Sequence, residues 1–217
     1  MILILFRTAE SVAADSLPRG LEEKCRQKVL AADPVKITYN FGELKLDNTK
    51  TTAEVSKSCG GHDAVGCFHS SRVKKWRHQP RQIHIGDYVC HYNEIQVAYD
   101  FTGRSIDLSK EYDACGQRAI LRHELQHFMI WKTSMNLMMK ETKLLLVDQV
   151  AKDIKICSEE ETYYADPHKL YRIFEKIKQK WWNIVQENDQ ILDEVDHDFE
   201  NEVNDPVCFP ASLTVSF

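Results

Sequence analysis

Apolar residues change their spacing near residue 113 of this 217-residue chain. Before that point they alternate with polar residues in short runs, the period of a half-buried strand. After it they return every three or four residues, the period of an amphipathic helix. Val35-Lys-Ile-Thr-Tyr-Asn40 and Glu43-Leu-Lys-Leu-Asp47 flank Asn40-Phe-Gly42 and predict a hairpin. Gln82-Ile-His-Ile85 and Asp87-Tyr-Val-Cys90 predict two further strands. Ile95–Tyr99 and Ser105–Leu108, on either side of Asp100-Phe-Thr-Gly103, predict the clearest hairpin. It leads to Asp113, whose carboxylate suits a helix N-cap.

Residues 117–166 contain neither Gly nor Pro, and the pattern predicts a first helix from Asp113 to about residue 156. Asp166-Pro167 predicts a new start, with Asp as N-cap and Pro at the first helical position. The second helix carries a stripe of Leu170, Ile173, Phe174, Ile177, Trp181, Ile184, Ile191, Val195 and Phe199. Two long amphipathic helices in succession predict an antiparallel pair packed on the sheet. Methionines 129, 135, 138 and 139 fit core filling on the first. The fold class is therefore α+β, a mostly antiparallel N-terminal sheet (β-rich 30–112) packed on two C-terminal helices (113–203). One domain would span 15–217.

The net charge of −5 argues against a nucleic-acid partner. Lys74, Lys75, Arg77 and Arg81, around Trp76 and His78, are expected in a solvated loop. Met1–Phe6 is apolar, and Val12-Ala13-Ala14 supplies the small residues that a signal peptidase needs, so 1–14 is taken as a truncated export signal without its basic start. With no run of 18 apolar residues, no integral membrane segment is expected. Seven cysteines would form up to three disulfides in an oxidising compartment. Cys59 and Cys67 bracket a glycine-rich turn and suit a local staple, while Cys90 and Cys115 would tie down the segment leading into the first long helix. These features point to a periplasmic or secreted protein, with a cytoplasmic protein holding reduced thiols as the alternative.

Within the first long helix lies His123-Glu124-Leu125-Gln126-His127, an H-E-x-x-H motif. Residues four apart share a helix face about one turn apart, so both imidazoles reach one ion. Zn²⁺ favours imidazole nitrogen, and a catalytic site keeps one tetrahedral position open. Glu124 follows the first ligand directly and is placed to act as general base. The histidines flank the stripe of Ile120, Leu121, Phe128, Trp131 and Met135, where a buried wall meets an accessible cleft.

A sheet whose last hairpin runs into such a helix resembles the zincin metallopeptidases. Ile95–Phe128, with Cys115 and Ile120-Leu121 before the motif, is similar to an uncharacterised bacterial zincin-like group. The resemblance covers about 35 residues and implies zinc as cofactor, His123 and His127 as ligands, Glu124 as the base and a peptide or protein as substrate. The longer metzincin signature is absent, because Phe128-Met-Ile-Trp-Lys supplies no third His. In the glutamate zincins a second helix provides that ligand. An antiparallel register sets residues 123 and 127 level with about 199 and 195. By helical angle this selects Glu194, with Asp198 on the same side as an alternative; His197 is an alternative by residue type, although it points nearly opposite to the core stripe. A break in the first helix would bring back His84, His91 or His168. Tyr163, Tyr164 and His168 are of a type that stabilises an oxyanion, although surface or packing roles suit them better. The competing expectation is an exported zinc protein without peptidase activity, either another hydrolase or a helical partner-binding module.

Overall fold

Two small mixed sheets pack against a pair of long helices in the computed structural model, which describes residues 17–61, 64–71, 73–158 and 166–195. The first sheet has the order β1 (Val35–Asn40), β5 (Tyr88–Asp100), β4 (Val73–Ile85), and β7 (Lys155–Ser158) pairs with the start of β5. The second has the order β2 (Lys45–Lys50), β6 (Ser105–Ser109), β3 (Gly66–His69). The helices are α1 (Leu21–Ala31), α2 (Thr52–Ser58), α3 (Ala114–Lys152) and α4 (Pro167–Val195). An α+β chain with α3 and α4 antiparallel was expected; the sheets were expected to be mostly antiparallel and are mixed.

Neither of the two loops at Asn40–Gly42 and Asp100–Gly103 closes a hairpin. β1 pairs in parallel with β5, from Val35↔Ile95 to Asn40↔Asp100, and β2 pairs in parallel with β6 from Lys45↔Ser105. The offset is 60 residues from Val35↔Ile95 to Asp47↔Asp107 and shifts by one only at Lys50↔Ser109, so the two segments run side by side from the first sheet into the second. The cause is the aromatic residue in each loop. Phe41 and Phe101 stack at 5.3 Å between ring centroids, and both meet Trp131 edge-on, at 5.8 and 5.0 Å. A tight turn would have left each ring at a tip in water; the crossing buries Phe101 fully and Phe41 in part against α3 instead.

The tight two-residue turn is Gly86-Asp87, between Ile85 and Tyr88, where Gly86 takes a φ of +60°. The basic stretch Lys74–Arg81 is therefore strand rather than loop. It lies in β4, the outer strand of its sheet, where charge and Pro80 are tolerated. Lys74 pairs with Glu175 and Arg81 with Glu94.

α3 is unbroken for 39 residues. Asp113 caps it, accepting from the backbone N–H groups of Cys115 and Gly116 at 2.9 and 2.8 Å. Its buried face runs through Ile120, Phe128, Trp131, Met135, Met138, Leu146 and Val150, whereas Met129 is exposed rather than core. The Asp166 carboxylate accepts from the His168 N–H at the start of α4. That helix turns Leu170, Phe174, Ile177 and Val185 inward, and Phe174 packs on Trp76 and Tyr99.

Cys25 of α1 is disulfide-bonded to Cys90 of β5, and Cys59 to Cys67. Cys90 is thus not joined to Cys115, which is itself in a disulfide. Cys25 and Cys90 face one another in the core between α1 and the sheet, a proximity with no local sequence signal. No described helix is long and apolar enough to cross a membrane. Residues 1–14, Tyr163, Tyr164, His197, Asp198 and Cys208 lie outside the described residues.

Candidate metal centre

His123 and His127 lie one turn apart on α3, on the side of its buried stripe that faces α4. Their Nε2 atoms approach to 3.0 Å, with the rings at 74° to one another. From α4, Asp193 Oδ1 comes within 3.4 Å of His123 Nε2 and 3.0 Å of His127 Nε2. Two atoms held tetrahedrally at about 2.05 Å from zinc stand about 3.3 Å apart, so these three separations match one face of a zinc polyhedron. The His123 side chain is 8% exposed and that of Asp193 is 61%, so the ligand set has a buried wall and a solvent side.

Asp189, one turn before Asp193, decides how His127 is used. Its Oδ1 lies 3.1 Å from His127 Nδ1. A carboxylate only accepts, so Nδ1 carries the proton and Nε2 of the neutral ring presents its lone pair to the centre. Imidazole ligands of metals are commonly oriented in this way by an outer carboxylate. In the metal-free protein a second proton fills the role of the cation. Burial opposes the charged ring, but hydrogen bonds to Asp189 and Asp193 and the nearby charge of Glu124 prevail and raise His127 to about 10. Hydrogen bonds from His123 and His127 hold Asp193 far below the ordinary carboxylate range. Both shifts favour positive charge among these donors.

Glu124 is buried beneath β3, which burial reflects in a raised pKa, opposed by the two histidines and by the Phe68 N–H that its carboxylate accepts from. Gly66 makes this seat. A Cβ there would lie 2.7 Å from Glu124 Oε1 and 2.9 Å from its Cγ, contacts that no side chain permits. Phe68 continues the lining by packing its ring on Phe128 and Trp131. The sequence offered no signal for this strand beyond Gly66 itself, because four residues beside a glycine-rich turn show no usable alternation.

The carboxylate that reaches the histidines is Asp193, one residue before the expected Glu194. Glu194 is exposed and accepts from Gln190 Nε2 on its own helix. The difference has a definite origin. Ile191 was counted in the apolar stripe of α4, but it is 54% exposed. Without it the inward side follows Val185, and the positions four and eight residues later are Asp189 and Asp193. His168 is exposed in the first turn of α4, about 37 Å along the helix from Asp193. Since α3 does not break, His84, His91 and His168 join no triad of metal-binding residues among the described residues. Comparison with protein-family models, with curated proteins and with solved structures found no match to this chain.

Proposed function

We propose that the chain is an exported zinc metallopeptidase of zincin-like architecture. The observation that carries this is the convergence of His123 Nε2, His127 Nε2 and Asp193 Oδ1 within 3.4 Å, with Glu124 in the same turn of α3. Three protein ligands of two nitrogens and one oxygen leave a fourth position for chemistry, the pattern of a catalytic rather than a structural site. When bound, zinc supplies Lewis acidity toward a carbonyl and toward water.

The residues divide the remaining work. His123, His127 and Asp193 hold the ion, and Asp189 fixes the His127 tautomer. Glu124 takes the proton of the attacking water and delivers it to the leaving amine. Its buried seat under β3 favours this, since a carboxylate out of bulk water has a raised proton affinity. The Phe68 N–H keeps the carboxylate oriented while it exchanges that proton. The disulfides support an oxidising compartment.

The test is elemental analysis of the purified full chain, then cleavage of an unfolded protein followed by mass spectrometry of the new termini. One zinc per chain and metal-dependent cleavage are expected. Glu124→Gln should keep the zinc and lose about 10²–10⁴-fold in rate, the range of a general base. Cleavage unchanged in Glu124→Gln, or protein without stoichiometric metal, would refute the assignment; zinc without cleavage would leave a binding protein.

A further inference from the structure

We propose that Cys59, Cys67 and His69 form a second, redox-gated metal site, which takes a thiophilic divalent cation such as Zn²⁺ once the Cys59–Cys67 disulfide is reduced. The two sulfurs and a ring nitrogen of His69 lie within 4.8 Å of one another. Two thiolates and an imidazole are a zinc-binding donor set.

The donors stay in place without the disulfide. Cys59 follows α2, whose start is fixed by the reciprocal capping box of Thr51 and Glu54. Cys67 and His69 lie in β3, paired with β6 at Cys67↔Asp107 and His69↔Ser105. Alternation along β3 sends Gly66 and Phe68 to α3, and Cys67 and His69 to the opposite face. The site is therefore separate from the one on α3 and α4.

Asp107 supplies the outer support. Its side chain is 2% exposed, and its Oδ2 accepts from His69 Nε2 at 2.8 Å, from Ser58 Oγ at 3.2 Å and from Lys50 Nζ. With Nε2 donating to that carboxylate, Nδ1 of His69 keeps its lone pair for a metal. Access also favours this bond over the others: Cys59 and Cys67 are half-buried, while Cys25, Cys90 and the disulfide-bonded Cys115 are buried. A dithiol supplies two electrons together with its own two protons, or a phosphine supplies two electrons while one water gives its two hydrogens to the sulfurs and its oxygen to phosphorus, and the S–S bond becomes two thiols. The dithiol leaves as its own disulfide and the phosphine as its oxide. The cation then displaces both thiol protons.

The experiment is a Co²⁺ titration of the full chain carrying His123→Ala and His127→Ala, which removes the first centre. Oxidised protein is compared with protein treated with a phosphine until its thiol count rises by two. The expected result is no sulfur-to-cobalt charge-transfer band when oxidised, and one equivalent of Co²⁺ with that band when reduced. His69→Ala should weaken binding at least about tenfold at the same thiol count. Adding Cys59→Ser and Cys67→Ser should abolish the band, as should alkylation of the two new thiols if that variant does not fold. A reduced protein with no band, or a band that survives loss or alkylation of these cysteines, overturns the proposal.

Discussion

α3 and α4 meet through polar side chains at two levels, and the two crossings differ in kind. Near the middle of the pair, Glu141 accepts from Lys180 Nζ at 2.8 and 3.1 Å and from Trp181 Nε1. Every contact there joins a donor to an acceptor. At the other level, Asp189 and Asp193 face His123 and His127, and His127 Nε2 meets a second imidazole nitrogen and a carboxylate oxygen together. Its one neutral-state proton is already committed to Asp189. The first crossing is complete as protein; the second needs an additional cation, a proton or a metal ion. Proximity of charged groups is common to both, and the balance of protons tells them apart.

The largest effect should come from the second crossing. His123→Ala, His127→Ala and Asp193→Ala should each weaken zinc by more than the roughly 10–100-fold that an outer partner commands. Glu194→Ala and Glu141→Ala should leave affinity unchanged. Competition with a chromogenic chelator measures all five. Equal losses for Asp193→Ala and Glu194→Ala would show that α4 sits in another register.

Next in size is Asp189→Asn, which keeps the shape but loses a charged acceptor. The amide oxygen still takes the Nδ1 proton, so zinc should remain while affinity drops about 10–100-fold. A loss as large as that of His127→Ala would make Asp189 a direct ligand.

The same contrast reaches back to the sequence. His123, Glu124 and His127 were legible because three roles sit within one helical turn, and a turn is local. Asp113 and Asp166-Pro167 marked the starts of α3 and α4 for the same reason, since caps are local chemistry. The carboxylates of α4 were not legible: choosing Asp193 over Glu194 required knowing that Ile191 faces solvent, which only packing decides. The parallel pairing of β1 with β5 was hidden likewise, because its partners lie 60 residues apart while a glycine at a turn suggests a neighbour.

pH separates the two crossings by sign. In metal-free protein His127 is raised to about 10, so its stabilisation is fully present below its unfolded value near 6.5 and is lost as pH rises through about 10. Glu141 is lowered, chiefly by its hydrogen bond from Lys180, so its stabilisation is present above its ordinary value and is lost as pH falls below it. Thermal melts of the metal-free chain should thus fall between pH 6.5 and 10, and His127→Ala should flatten that fall while Glu141→Gln does not. Zinc must displace the His127 proton, so its stabilising shift should grow with pH over the same window. An alkaline fall that persists in His127→Ala would locate the titration elsewhere.

The smallest effect should be at the first crossing itself. The Lys180 side chain is 56% exposed and that of Glu141 is 29%, so water screens their attraction and the two long side chains lose rotamer freedom in meeting. A double-mutant cycle of Glu141→Gln and Lys180→Met, read by denaturant unfolding, should return a coupling of about 0.2–1 kcal/mol. Trp181 complicates the cycle usefully. Its indole N–H also donates to Glu141, and Gln at 141 retains an acceptor for it, so the cycle isolates the charge. A coupling well above 1 kcal/mol would mean that this crossing is dry and fixes the register of the two helices. In that case Glu141→Gln would also disturb zinc at Asp193 through the helix, and the distinction between the two crossings would narrow.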